Sequence, residues 1–262
     1  MDETLRVKTL VAVASMDAYQ ARLTSIRESP TIVGRMDSER AAKVLAGLEA
    51  EGVPAIAPTR DEIWNFRTTP RIRSLIPADA ADAYAIHFWD GRVTELKVKD
   101  IVLLVRGRVQ RSSSRTDSSS GNAGAMAAGY LVGGVLGAAM AAEGGGTVRS
   151  SRIELSHLLD VFVRNGTRVR ISGDKFSFDV LGAEKGYSDH ENMDKLSLRL
   201  ANDAPRALVD MSFQKFKPPA EILRDSFQSV GTSGVSRRDD FPAFDFYSAW
   251  IYLVNRRLGL LG

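Results

Sequence analysis

Residues 82–109 read DAYAIHFWDGRVTELKVKDIVLLVRGRV, and this stretch decides the fold class. Asp82 to Trp89 alternates and is rich in β-formers, Asp90-Gly91 is a two-residue hairpin signal, and Arg92 to Val98 supplies the returning strand. Ile101 to Val109 follows as a further strand, with Ile101, Leu103 and Val105 opposed by Val102, Leu104 and Arg106. Downstream, Leu158 to Val163, Asn165-Gly166 and Arg168 to Ile171 form a second hairpin with equally good turn chemistry, and Phe176 to Leu181 is expected to continue the sheet. Ser188 and Asp189 then cap a helix running to about Ala201, with Met193, Leu196, Leu198 and Leu200 as its apolar content. Hairpins followed by helices give an α+β class: an antiparallel sheet with a capping helix.

Towards the carboxy terminus, Ala207 to Phe216 is expected as a strand before Pro218-Pro219, and the Ser- and Gly-rich tract Gln228 to Arg238 as a loop. Phe241, Phe244, Phe246, Tyr247, Trp250, Ile251, Leu253 and Val254 make an aromatic last helix that ends in Arg256-Arg257, cations suited to the negative end of a helix dipole. It is expected to dock over the sheet, and Phe246, Tyr247 and Trp250 are the candidates to line a pocket beneath it.

Towards the amino terminus, Tyr19, Leu23 and Ile26 fall at helical spacing and Pro30 ends that helix; Thr31 to Val33 is short and β-branched. Asp37 and Ser38 precede a helix with Glu39 in its first turn and Ala41, Val44, Leu45 and Leu48 on one face. Gly52 stops it, and Val53 to Ala57 reads as a returning strand, so the first module is expected as a small two-layer α/β unit. Asp61 to Asp79, with Pro70 and Pro77, reads as a transition. The domains expected are an interaction module over 1–63, a sheet-plus-helix module over 80–216 with an insertion at 112–150, and a helix over 240–262.

The run Glu28-Ser29-Pro30, Val33, Asp37-Ser38-Glu39, Ala42, Leu48-Glu49 and Gly52-Val53 resembles the C-terminal domain of the bacterial ribosomal stalk protein and the related Clp adaptor fold. The resemblance covers residues 16–57 and implies a small interaction fold. The connection after Pro30 is one residue shorter than the family's, and only Lys43, with Arg40 nearby, stands where the family has a lysine-rich helix face, so translation-factor binding does not carry over. Residues 80–215, by their order of hairpins and helix, resemble a pleckstrin-homology-type module.

Ser118 to Ala142 contains no charged residue, and Gly121 to Gly146 is dominated by Gly and Ala. Ala125, Gly129, Gly133, Gly137 and Ala141 recur every four residues, which on a helix forms one smooth ridge where another backbone can approach closely. About 20 apolar residues suffice to span a bilayer. A single crossing, however, would separate the strand ending near Val109 from the one beginning near Ile153, which the sheet needs side by side. Arg106, Arg108, Arg111 and Arg115 before the segment, and Arg149 and Arg152 after it, suit contact with an anionic surface. Three readings stand open: a helical insertion that self-associates or contacts membrane, a segment folded onto its own protein, and a disordered loop.

No catalytic signature emerges. The chain has no cysteine, which removes disulfides, thiolate metal sites and cysteine nucleophiles and makes a reducing cytoplasm the expected setting. Met1 to Val7 lacks the basic and apolar regions of a secretory signal. His87, His157 and His190 fall in three different expected elements without metal-ligand spacing, so no metal is expected. Gly121–Gly124 and Gly144–Gly146 lack the Lys-Ser or Lys-Thr of a phosphate loop, and no Gly-x-Ser-x-Gly motif occurs, so neither catalytic residues nor a cofactor are assigned. A net charge of +3, with acidic and basic residues interspersed, argues against nucleic acid as a partner. The reading is a non-catalytic adaptor or scaffold whose partner is another protein, a second copy or a membrane surface, cytoplasmic or peripheral at the inner membrane; the alternative is a small-molecule-binding protein or enzyme.

Overall fold

The computed structural model describes residues 3–26, 30–66, 69–78, 82–117, 148–219, 222–223, 227–230 and 235–261. The chain is α+β, with two sheets and helices on both outer faces. The smaller sheet has the order β1-β2-β3, built from β1 (Ile72–Pro77), β2 (Ala83–Phe88) and β3 (Val93–Lys97), all antiparallel. In the larger sheet β6 (Arg168–Ser172) pairs with β5 (Val148–Val163) and β5 with β4 (Ile101–Asp117). The short β7 (Leu208–Asp210) runs parallel to inner β4, and the hairpin β8 (Phe227–Val230) and β9 (Val235–Asp239) adds to its outer part.

Strand alternation divides the larger sheet into two buried faces. Leu104, Leu159, Val161, Val169 and Ile171 join the smaller sheet's Ile72, Leu75, Tyr84 and Ile86 in one core, which α5 (Asp189–Asp203) closes with Met193, Leu196 and Leu200. Leu103, Val105, Leu158 and Phe162 point the other way, onto the aromatic helix α6 (Phe241–Arg257) with Phe244, Tyr247, Ile251 and Tyr252. Ser188 caps α5 as expected, its Oγ accepting from Glu191 N at 3.2 Å.

Both expected hairpins form, with a different turn. Asp90 and Asn165 keep negative φ while Gly91 (φ 83°) and Gly166 (φ 88°) take the left-handed region. Gly91 N donates to Phe88 O and Phe88 N to Arg92 O, so the loop is three residues with glycine at its last position, not the two-residue type I′ turn, which needs positive φ twice.

The first 66 residues depart from the expected α/β unit. The described residues among them form α1 (Glu3–Ala14), α2 (Ala18–Ser25), α3 (Ser38–Ala50) and α4 (Arg60–Trp64), and Thr31–Val33 and Val53–Ala57 join no ladder. Leu10, Ala14, Ala21, Val44 and Leu48, all helical, make the core of this region, and Val33, Met36 and Val53 of the connections pack against it. Ile32 and Ile56 pack instead against the core under α6, so the apolar residues that suggested strands are satisfied by side-chain burial alone. In α2 the face turned inward is Ala21 and Ser25; Tyr19 remains 72% exposed.

Three further expectations change. The 61–79 transition contains most of α4 and the whole of β1, whose Ile72 and Leu75 are core residues although Pro70 precedes the strand and Pro77 ends it. Phe176 to Leu181 is not a ladder strand: Ser177 makes one bridge to Ser74, and 3-10 turns then bury Phe178 and the adjacent pair Val180 and Leu181, neighbours that a half-buried strand would point to opposite faces. Of Ala207–Phe216 only β7 is strand, and part of the expected loop at 228–238 is the β8–β9 hairpin.

Candidate functional site

Strands β4 and β5 pair well past the core. Their register continues from Val109 opposite Ser156 to Asp117 opposite Val148, so the ladder includes Ser112–Ser114 and forms an arm whose outer part runs about 26 Å at 3.3 Å per residue. Ala125, Gly129, Gly133, Gly137 and Ala141 lie between its two ends and outside the described residues, as do the side chains of Arg115 and Arg149. The arm leaves Ile153 61% and Leu155 54% exposed on one face, an unusual pair to display on a strand. Among the described residues no helix is long and apolar enough to cross a membrane.

The other expected basic residues divide. Arg111 Nε ion-pairs with Asp239 at 3.2 Å, its guanidinium 4.1 Å from the centre of the Phe241 ring, and Arg152 pairs with Glu154 at 2.9 Å. Arg108 is exposed. Arg106 points under α5, where it ion-pairs with Asp194. There the fold assembles a group that sequence spacing hides: the rings of His157 on β5 and His190 in the first turn of α5 stack at 4.6 Å, with Arg106 Nη2 3.5 Å from His190 Nδ1. Burial, then the charges of His190, Arg106 and Arg108, hold His157 below the ordinary imidazole range, so its neutral form is favoured.

A second hidden group is fully internal. Asp160 on β5 is 0% exposed and accepts from Arg170 Nε at 2.6 Å, Arg170 Nη2 at 2.8 Å and Ser248 Oγ at 2.6 Å. Arg168 Nη1 reaches the same carboxylate at 3.4 Å and the Asp245 carbonyl at 3.3 Å, and Arg170 Nη1 pairs with the Asp245 side chain at 2.6 Å. The remaining Arg168 face lies over Phe66 and Phe162, at 5.7 and 5.8 Å. Burial pushes the Asp160 carboxyl up, but Arg170 and Arg168 outweigh it and hold it below the usual range, while burial prevails at Asp245 and raises it. Two carboxylates and two guanidiniums make a charge-balanced lock between sheet and α6.

Of the three candidate pocket residues, Tyr247 and Trp250 are buried and Phe246 half-buried. Phe216 packs against all of them, at 4.8 Å from Tyr247, 5.7 Å from Trp250 and 6.1 Å from Phe246. The Tyr247 hydroxyl donates to Asp210 Oδ1 at 2.5 Å, and burial followed by this bond raises its pKa. Among the described residues no group of three or more His, Asp or Glu could hold a metal ion.

The signal for the internal lock was present. Asp160 sits inside Leu158-Leu159-Asp160-Val161-Phe162, and Arg168 and Arg170 alternate with Val169 and Ile171, so the hairpin register alone sets Asp160 opposite Arg170. His157 and His190 carried no such signal, because strand and helix meet only through the tertiary fold.

Compared with protein-family models, curated proteins and solved structures, the chain matches none.

Proposed function

We propose that the chain is a non-catalytic adaptor or scaffold, which self-associates or contacts a membrane surface through the Gly/Ala-rich segment carried between the ends of the β4–β5 arm. One observation carries this reading: the ladder extends beyond the core to Asp117 and Val148, with Ile153 and Leu155 exposed along it. A strand pair that outruns its core while displaying branched apolar side chains suits contact with a surface other than its own body. The uncharged segment with a small residue every four positions supplies close-approach chemistry at the same end. Return of the chain to the adjacent strand agrees with a segment that does not cross a bilayer once.

Replacing residues 118–147 by Asn-Gly across Asp117 and Val148 tests the proposal. The shortened chain should retain its far-ultraviolet circular dichroism and lose self-association in sedimentation velocity, flotation with anionic vesicles, or both. Loss of the first alone assigns a second copy as partner, and loss of the second alone assigns the membrane surface. A full-length chain that is monomeric and does not float sinks the proposal, as does a shortened one that behaves like its parent.

A further inference from the structure

Where the two sheets meet, the surface opens into a cleft of about 790 Å³. Its construction follows from β1 and the residues just before it, which lie beside β6 and the segment after it: Arg170 N donates to Pro70 O at 2.9 Å, and Ser177 N to Arg73 O at 2.8 Å. These two bonds hold the Trp89–Gly91 turn across from the loop between β6 and Phe178. Phe88 and Phe176, both buried, lie among its lining.

The walls are basic. Arg71, Arg73, Arg92 and Lys175 line the cleft with only Asp90 and Asp174 as counter-charges. Asp90 is engaged by Arg92, accepting from its backbone N at 3.1 Å and its Nε at 2.7 Å, and Asp174 accepts from Ser172 Oγ at 2.6 Å. Among the described residues Arg71, Arg73 and Lys175 have no carboxylate partner. Arg71 rests on the Phe241 ring at 5.5 Å and Arg73 on the Trp89 ring at 5.7 Å, contacts that orient a guanidinium without neutralising it. Three cations without a carboxylate partner among the described residues, gathered around one concavity, favour an anion there.

Trp89 supplies the second requirement. It is 55% exposed at the rim, an apolar surface that folding leaves in water, already aligned with one cation. An exposed indole beside guanidiniums is a stacking platform for a planar ring attached to a phosphate. The cleft falls within the roughly 300–1,000 Å³ of small-molecule sites.

We propose that this cleft binds a nucleotide, its phosphate between Arg71, Arg73 and Lys175 and its base against Trp89. The same chemistry is offered by a free nucleotide or by one unit of a single-stranded nucleic acid. The site is independent of the arm, so its failure leaves the adaptor reading intact.

Isothermal titration calorimetry of the full chain tests it with AMP, adenosine, inorganic phosphate and a short single-stranded oligonucleotide. AMP or the oligonucleotide should bind saturably, and AMP at least about tenfold more tightly than phosphate or adenosine alone. Arg73→Glu, Lys175→Glu and Trp89→Ala, all at exposed positions, should each weaken binding about tenfold or more, and Arg152→Glu on the arm should not. An oligonucleotide that outcompetes AMP, with affinity falling steeply in salt, assigns the polymer; equal or weaker binding assigns the free nucleotide. The proposal is overturned if neither probe binds by about 5 mM, if phosphate binds as tightly as AMP, or if the three variants, shown folded by circular dichroism, bind like the parent.

Discussion

Ser248 Oγ, on the buried face of α6, donates a 2.6 Å hydrogen bond to Asp160 Oδ2, on the middle of β5. Through it the last helix is fastened to the same carboxylate that pairs the two arginines of β6. Removing the carboxylate's charge while keeping its shape, by Asp160→Asn, leaves both guanidiniums in the interior facing Asp245 alone. Breaking a buried pair in this way costs about 3–5 kcal/mol, measurable by urea unfolding. Ser248→Ala should cost about 1.5–3 kcal/mol, the range of a hydrogen bond to a charged group. A loss under about 1 kcal/mol for Asp160→Asn would show that the lock contributes little.

The same residue sets part of the acid limit. Because the folded carboxyl titrates below its unfolded value, its contribution is complete above the ordinary Asp range, about 3.9, and disappears as pH falls through the folded pKa. Stability measured from pH 5 downward should fall more shallowly for Asp160→Asn than for the parent. Parallel curves would exclude Asp160 as a source of acid lability.

His157 acts in a higher window. Its folded pKa lies below the ordinary 6.5, so its contribution is present above that value and is lost as pH falls through the folded pKa, where protonation would charge the ring beside His190, Arg106 and Arg108. His157→Gln should flatten the decline of thermal stability between about pH 6.5 and 5. A variant whose midpoint tracks the parent's across that range refutes the assignment.

Gly107 of β4 lies directly against the rings of Phe244 and Phe213. A Cβ built there would meet Phe244 Cε2 at 2.5 Å and Phe213 Cδ1 at 2.8 Å, distances that no packed ring can yield without shifting the helix. Gly107→Ala should therefore destabilise by about 1–3 kcal/mol, although alanine is otherwise the better strand residue. Unchanged stability would mean that α6 slides freely on β4.

α4 is held at its amino-terminal turn. Thr59 Oγ1 accepts from Glu62 N at 3.3 Å, and Glu62 Oε2 accepts from Thr59 N at 2.7 Å, a capping box; Glu62 also ion-pairs with Arg257 of α6. Thr59→Ala should cost about 1 kcal/mol and raise hydrogen exchange in residues 60–64 before the strands respond. Exchange that rises uniformly would show that α4 is not a local unit.

The parts legible in the sequence were those set by near neighbours. Asp90-Gly91 and Asn165-Gly166 announced their hairpins, Ser188 and Asp37 their helices, and the aromatic run from Phe241 its buried helix. What stayed hidden depends on distant partners. β1 was disguised by Pro70 and Pro77, whose backbone restrictions look like a linker until β2 lies beside them. The β8–β9 hairpin has too little apolar alternation to announce a strand, since it attaches to the outer half of β4 by backbone hydrogen bonds. The stacked histidines are joined only by the packing of α5 on β5, and the basic cleft only by the seam of two sheets.

The arm gives the molecule a natural graft point. Asp117 and Val148 are ladder partners, so their α-carbons stand about 5 Å apart, a gap any flexible connector can close. The free energy of closure grows only with the logarithm of connector length, about 0.6 kcal/mol per doubling, and none of it strains the registers behind Val109 and Ser156. Whatever stands between those two residues can lengthen, shorten or be exchanged for foreign sequence, leaving the core that supports it to fold on its own terms.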